Sequence, residues 1–210
     1  QSTLDQLRRQ FQQEAETLAR MNHPHLVRVI DFFEEGRNAY LVMNFVAGNS
    51  LADLIAQQAV LDEPQVIVWA QQILDALAYC HEQNVIHRDI KPQNIIIGSD
   101  GRIMLVDFGL VKLWDPDDPH TQTAMRGIGT PGYAPPEQYG IQPGHTDPRS
   151  DIYSLGATLY HALTGQAPPS AGDRMANPDL FTPLWQLNPY VSVQTEAAVM
   201  QAMALPLAER

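Results

Sequence analysis

Apolar residues recur every third or fourth position from Leu4 through Leu7, Phe11, Ala15 and Leu18 to Met21, with Gln, Arg and Glu between them. That period predicts an amphipathic helix over residues 4–21. Asn22-His23-Pro24 ends it, because the residue before a proline is pushed out of helical space and the proline ring has no N–H to donate. Two β-rich runs, 26–33 and 39–46, flank Glu34-Glu35-Gly36-Arg37-Asn38 and predict a hairpin with a five-residue loop. A second helix signal opens near Ser50. A third opens at Asp62, with Glu63 and Pro64 in its first turn. It repeats Val66, Ile67, Trp69, Ala70, Ile73, Leu74, Leu77 and Ala78 at helical spacing, which predicts a well-buried helix. Residues 94–97 and 102–106 are short strand-like runs around the turn signal Gly98-Ser99-Asp100-Gly101, a second small hairpin. Residues 114–149 carry many Pro, Gly, Asp and Thr without a period, and a loop of that length inside a compact chain is usually functional. Helical patterning returns over 152–163, closed by Gly165, and again over 194–205. There is no internal repeat and no low-complexity tract.

Composition narrows the classes. At 210 residues the chain suits one large domain or two small ones, and 44% apolar against 18% charged residues argues against disorder. The apolar runs are far too short to span a bilayer, so no membrane segment is expected. Thirteen Lys plus Arg against 24 Asp plus Glu give a net charge of -11. No sequence-wide basic field exists to hold a phosphate backbone, and nucleic acid is not expected as a partner. Cys80 is the single cysteine, which excludes an internal disulfide framework and fits a reducing, cytoplasmic setting. The chain opens on Gln-Ser-Thr without an initiator Met or a secretory signal pattern, and Arg210 closes a helical-looking stretch without a Gly or Pro stop. Both ends therefore read as cut.

Three motifs carry the chemistry: His87-Arg88-Asp89-Ile90-Lys91-Pro92-Gln93-Asn94, Asp107-Phe108-Gly109, and Gly129-Thr130-Pro131-Gly132-Tyr133-Ala134-Pro135-Pro136-Glu137. In this order and spacing they resemble the catalytic, metal and substrate-docking loops of protein kinases, of the bacterial serine/threonine type. Any one tripeptide is a weak signal, whereas three in register are a strong one. The resemblance implies an α+β, protein-kinase-like fold: a mainly helical large lobe over 47–210, and over 1–46 a small lobe truncated to a regulatory helix and two strands. It implies transfer of the γ-phosphate of ATP to serine or threonine hydroxyls of protein substrates. Phosphoryl transfer has a loose transition state, so the protein mainly aligns a hydroxyl and neutralises charge. On the resemblance Asp89 accepts the hydroxyl proton and Lys91, which points to serine/threonine substrates, sits against the transferred group. Asn94 and Asp107 supply the oxygen donors that a hard magnesium ion prefers.

The resemblance extends to other positions. Arg88 and Lys112 would pair with a phosphorylated activation-loop residue, with Thr121 and Thr123 as the candidates, although solvated, unmodified threonines are nearly as good a reading of those two. Thr130 would hydrogen-bond Asp89 and Lys91. Glu137 would form a buried ion pair with Arg210, and Asp151 would hold the backbone of the His-Arg-Asp turn. Glu14 would be the regulatory-helix glutamate, and Leu18, Val29, His87 and Phe108 would stack as a spine. Met43 would guard the back of the adenine pocket, the backbone of Asn44 and Val46 would meet the base, and Ile96 would pack beneath it. His23, His25, Cys80 and His81 lack metal-ligand spacing and read as structural.

The sequence departs from the family in one respect. It contains no Gly-x-Gly-x-x-Gly loop and no Val-Ala-x-Lys strand ahead of Glu14. Three strands of roughly 5–6 residues each do not fit into that space. The 210 residues are therefore expected to have weak activity or none by themselves, and an exposed apolar patch is expected where the missing strands would pack. Two rival readings are a pseudokinase scaffold and a small-molecule phosphotransferase with a kinase-like fold. Intact Asp89, Lys91, Asn94 and Asp107 speak against the first, and the docking loop against the second.

Overall fold

A computed structural model describes residues 12–13, 15–36, 38–107, 112–113, 129–140 and 146–210. Residues 12–13 and 15–20 are helical (α1). Ala15, Leu18 and Met21 are buried along one side, the stripe that the three-residue spacing requires. Of the helix expected over 4–21, residues 4–11 and 14 lie outside the described residues, and Met21 lies just past the helical turn.

The antiparallel pair β1 (Val29–Glu35) and β2 (Asn38–Met43) follows. Glu35 pairs directly with Asn38, so two residues and not the expected five separate the paired strands. Gly36 has φ 63°, and a positive φ in a two-residue turn matches the twist of the strands it joins. The strands are also shorter than the apolar runs suggested. Leu26 leaves the hairpin to make a parallel bridge to Leu105. The Val27 amide donates to the Leu105 carbonyl at 2.9 Å and the Leu105 amide to the His25 carbonyl at 2.8 Å. Ile30, Phe33, Tyr40 and Phe45 of this hairpin and the segment after it are exposed, Phe45 at 92%.

Three short strands form the next sheet in the order β3 (Asn49–Ser50), β5 (Ile95–Ile97), β6 (Ile103–Leu105). Periodicity could not show β3, because two residues are too few to alternate. Ser50 also caps α2 (Leu51–Gln58), exchanging hydrogen bonds with Asp53 in a capping box. The long helix α3 (Glu63–Glu82) buries Val66, Trp69, Ile73, Ala76, Leu77 and Cys80. Ile67, Val68 and Leu74 are exposed instead. The helix is thus buried on one face only, which corrects the sequence reading: apolar residues at successive positions point about 100° apart and cannot share a core face.

Strand β4 (Val85–Ile86) pairs with β7 (Lys112–Leu113). Helix α4 (Pro148–Thr164) begins four residues before the expected start. Asp147 caps it through a box with Ser150, Pro148 fits the first position, and Gly165 closes it at φ 72°. α4 is the buried axis of the molecule, with Tyr153, Ala157, Thr158, Ala162 and Leu163 fully inside. α5 (Ala171–Ala176), α6 (Leu184–Leu187) and α7 (Val193–Ala202) pack around it. α7 starts at the Ser192 cap and stops three residues short of the expected 205. At Gly156 a Cβ would come within 2.8 Å of the Ala202 Cβ, so a side chain there would separate α4 from α7.

Candidate active site

The segment 87–94 enters from β4 and turns through a three-residue 3-10 helix, Pro92–Asn94, into β5. The Asn94 side-chain amide donates to the Asp89 backbone carbonyl and to Asp89 Oδ2, both at 2.9 Å. Lys91 Nζ lies 2.7 Å from Asp89 Oδ2 and donates to Thr130 Oγ1 at 3.0 Å. Thr130 in turn donates to Asp89 Oδ1 at 3.1 Å. One carboxylate is therefore fixed by an ammonium, a hydroxyl and an amide, and its side chain keeps 24% exposure, so an incoming group can still reach it.

Behind this cluster sits Asp151, fully buried in the first turn of α4. The helix N-terminus favours a negative charge there. Asp151 Oδ2 accepts from the His87 amide at 2.9 Å, and Oδ1 accepts from the Arg88 amide at 2.8 Å. His81 Nε2 is 2.8 Å from the same Oδ2. Arg88 has φ 68° and Asp107 φ 57°. Left-handed backbone at residues other than glycine costs about 1–3 kcal/mol each and persists where neighbours hold it. The Val106 amide donates to the Asn94 carbonyl at 2.9 Å, which sets Asp107 beside Asn94. The carboxylates of Asp151, Asp89 and Asp107 all act on the His87 ring.

The donor set suits a hard divalent cation. Asn94 uses its amide nitrogen on Asp89, which leaves its oxygen, with the Asp107 carboxylate, as the oxygen donors that would hold such an ion. Magnesium takes a few protein oxygens and completes its shell with water and phosphate.

Met43 ends β2 opposite Val29 and is half-buried. The Asn44 amide donates to the Arg28 carbonyl at 3.0 Å. Val46 is half-buried, and Ile96 lies mid-β5 opposite Met104. Leu18, Val29 and His87 are buried. The Lys112 backbone pairs with Ile86, and the Arg88 side chain is buried. Glu14, Phe108, Thr121 and Thr123 lie outside the described residues. Glu137 and Arg210 meet at 2.6 Å with side-chain exposures of 2% and 0%. Ser150 Oγ donates to Glu137 Oε1 at 2.8 Å, and Arg210 also donates to the carbonyls of Ala204 and Leu205. Sequence reasoning missed the contribution of His81 to the Asp151 cluster and the contact from Gln138 Nε2 to the Arg88 carbonyl at 3.0 Å. Neither residue belongs to a spacing pattern that would have raised it.

The family model described as the protein kinase domain matches residues 1–197. The chain belongs to that family. Its relatives include the serine/threonine-protein kinase PknL of Mycobacterium tuberculosis, 38% identical over 164 residues, or 78% of this chain and 40% of the relative. Serine/threonine-protein kinase B of Synechocystis is 39% identical over 166 residues, 75% of this chain and 28% of the relative. PknB of Mycobacterium leprae is 36% identical over 205 residues, 92% of this chain and 32% of the relative. The chain is thus of the bacterial serine/threonine kinase type and spans less than half the length of these curated relatives. Among the described residues no helix is long and apolar enough to cross a membrane.

The segment 87–94 also carries an acid-sensitive group. Burial pushes the His87 pKa down, against the pull of the nearby carboxylates, and burial pushes His161 down as well. In both cases the folded chain resists a proton that the unfolded chain accepts at about pH 6.5. Stability is therefore full above that pH and falls as pH drops from it toward the lower folded values. The thermal midpoint is expected to be lower at pH 5 than at pH 7.5, with a smaller drop in His87→Phe. An identical drop in that variant would remove His87 from the account.

Proposed function

We propose that this chain is the catalytic part of an ATP-dependent serine/threonine protein kinase, with residues 1–46 as the remnant of the small lobe and 47–210 as the large lobe. The observation that carries this reading is the Asp89 carboxylate, fixed by Lys91, Thr130 and Asn94 yet open to an incoming hydroxyl. Asp89 orients the substrate hydroxyl and accepts its proton as the oxygen takes the γ-phosphoryl group and ADP leaves. Lys91 offsets negative charge on the transferred group. Asn94 and Asp107 hold magnesium, which when bound neutralises charge on the phosphate oxygens. Met43 guards the back of the adenine pocket, the backbone of Asn44 and Val46 meets the base, with the Asn44 amide already committed to the Arg28 carbonyl, and Ile96 packs beneath it. Glu14 is the regulatory-helix glutamate. Arg88 and Lys112 receive a phosphate on Thr121 or Thr123.

Phosphate incorporation from labelled ATP into a generic serine/threonine peptide by the full-length enzyme tests the reading, with small hydroxylated molecules as the comparison. Transfer to the small molecules alone would replace it. For the 210 residues by themselves we expect weak nucleotide binding, because neither a glycine loop nor a strand lysine is present in them to grip the phosphates. Titration with a fluorescent nucleotide checks this, and micromolar affinity counts against it.

A further inference from the structure

The catalytic loop turns on Arg88, whose φ of 68° places a bulky residue in left-handed backbone. Such a residue keeps its conformation only where the peptide groups on both sides of it are held. On the amino side the Arg88 amide donates to Asp151 Oδ1 at 2.8 Å. On the carboxyl side the Arg88 carbonyl accepts from Gln138 Nε2 at 3.0 Å. Arg88 and Gln138 are each only 7% exposed, so water is a poor substitute for either bond. The Arg88 carbonyl and the Asp89 amide belong to one planar peptide unit. A bond to that carbonyl therefore sets the plane from which Asp89 departs.

The two holds are mechanically connected. Gln138 lies in the 3-10 turn Pro136–Tyr139. Its neighbour Glu137 is tied to α4 through Ser150 and to Arg210. Asp151 stands on the same helix α4, one residue after Ser150. At the other end of the docking loop Thr130 donates to Asp89 Oδ1. One loop thus reaches this turn twice: Thr130 bonds the Asp89 side chain, and the Gln138 side chain bonds the Arg88 carbonyl that shares a peptide unit with Asp89.

We propose that Gln138 is a positioning residue for phosphoryl transfer: its side-chain amide holds the Arg88–Asp89 peptide plane and so couples the docking loop to the aim of the Asp89 carboxylate. The proposal rests on Asp89 being the proton acceptor. The contact needs a long, uncharged donor. Met matches the length without donating, and an ionised Glu presents a carboxylate to a carbonyl.

Hydrogen exchange read by mass spectrometry on Gln138→Met in the 210-residue chain is the first test. Amides of residues 86–91 are expected to exchange about tenfold faster, the weight of one buried hydrogen bond, with α3 and α7 unchanged. Unchanged exchange at 86–91, or an equal rise in α3, overturns the proposal. In the full-length enzyme the same substitution is expected to lower kcat by about tenfold, with KM for ATP and peptide within about threefold. Gln138→Glu is expected to lose rate at neutral pH and regain part of it as acid protonates the carboxylate and restores a donor. If Gln138→Met does not fold, this rate–pH profile decides, and a flat one overturns the role. A wild-type enzyme that transfers no phosphate removes the kinase reading and this one with it. Wild-type turnover with undiminished kcat in Gln138→Met removes only Gln138.

Discussion

Asp89→Asn in the full-length enzyme is expected to lower the rate of peptide phosphorylation by about 10²–10⁴-fold, the usual contribution of a positioned general base. The substitution is nearly isosteric, so Lys91, Thr130 and Asn94 still have a polar group to surround. What disappears is the negative charge that aligns a hydroxyl and takes its proton. Lys91 loses its ionic partner at 2.7 Å as well, which leaves the ammonium without a fixed aim. Nucleotide affinity should change little, because Asp107 and the oxygen of Asn94 are untouched. Steady-state kinetics with a parallel nucleotide titration separates the two effects. Retained turnover removes Asp89 as the base, and loss of nucleotide binding in step with rate shows a structural rather than a catalytic role.

Glu137→Gln is expected to destabilise the fold by about 3–5 kcal/mol, since it strands the Arg210 guanidinium at a site with no access to water. Arg210 has 0% side-chain exposure, and its two backbone acceptors, Ala204 and Leu205, carry no net charge. At about 2–4 °C per kcal/mol for a chain of this size, the thermal midpoint should fall by roughly 10 °C. Glu137→Gln with Arg210→Met should recover part of the loss, because removing both charges also removes the desolvation cost that the pair carries. Thermal unfolding checks both. A fall of only a degree or two in Glu137→Gln would mean that solvent reaches the pair.

How much was legible in the sequence differs from element to element. Chain-local chemistry was readable: Pro64 opens a helix, Gly165 closes one, and Gly98-Ser99-Asp100-Gly101 turns a hairpin, because each acts within a few residues of itself. The hairpin turn was misjudged because Glu34, Glu35 and Asn38 look like loop residues by polarity, yet they are exposed strand positions paired to Ala39 and one another. The outer face of α3 was misjudged because apolar residues run through successive positions, and only packing decides which of them face inward. Gln138 and His81 had no pattern to betray them, since their partners are 50 and 70 residues away.

The sequence alone determined the inventory: the longer helices, the three motifs in register, and the residue types able to align a hydroxyl and hold a hard cation. Those follow from backbone propensity and side-chain chemistry, which are properties of short stretches. The tertiary structure put distances on the cluster of Asp89, Lys91, Asn94 and Thr130, and it alone brought Gln138 to the Arg88 carbonyl on the side opposite Asp151. Such convergence depends on the packing of α4 against the catalytic loop, and distance in space across many intervening residues leaves no periodic trace in the chain.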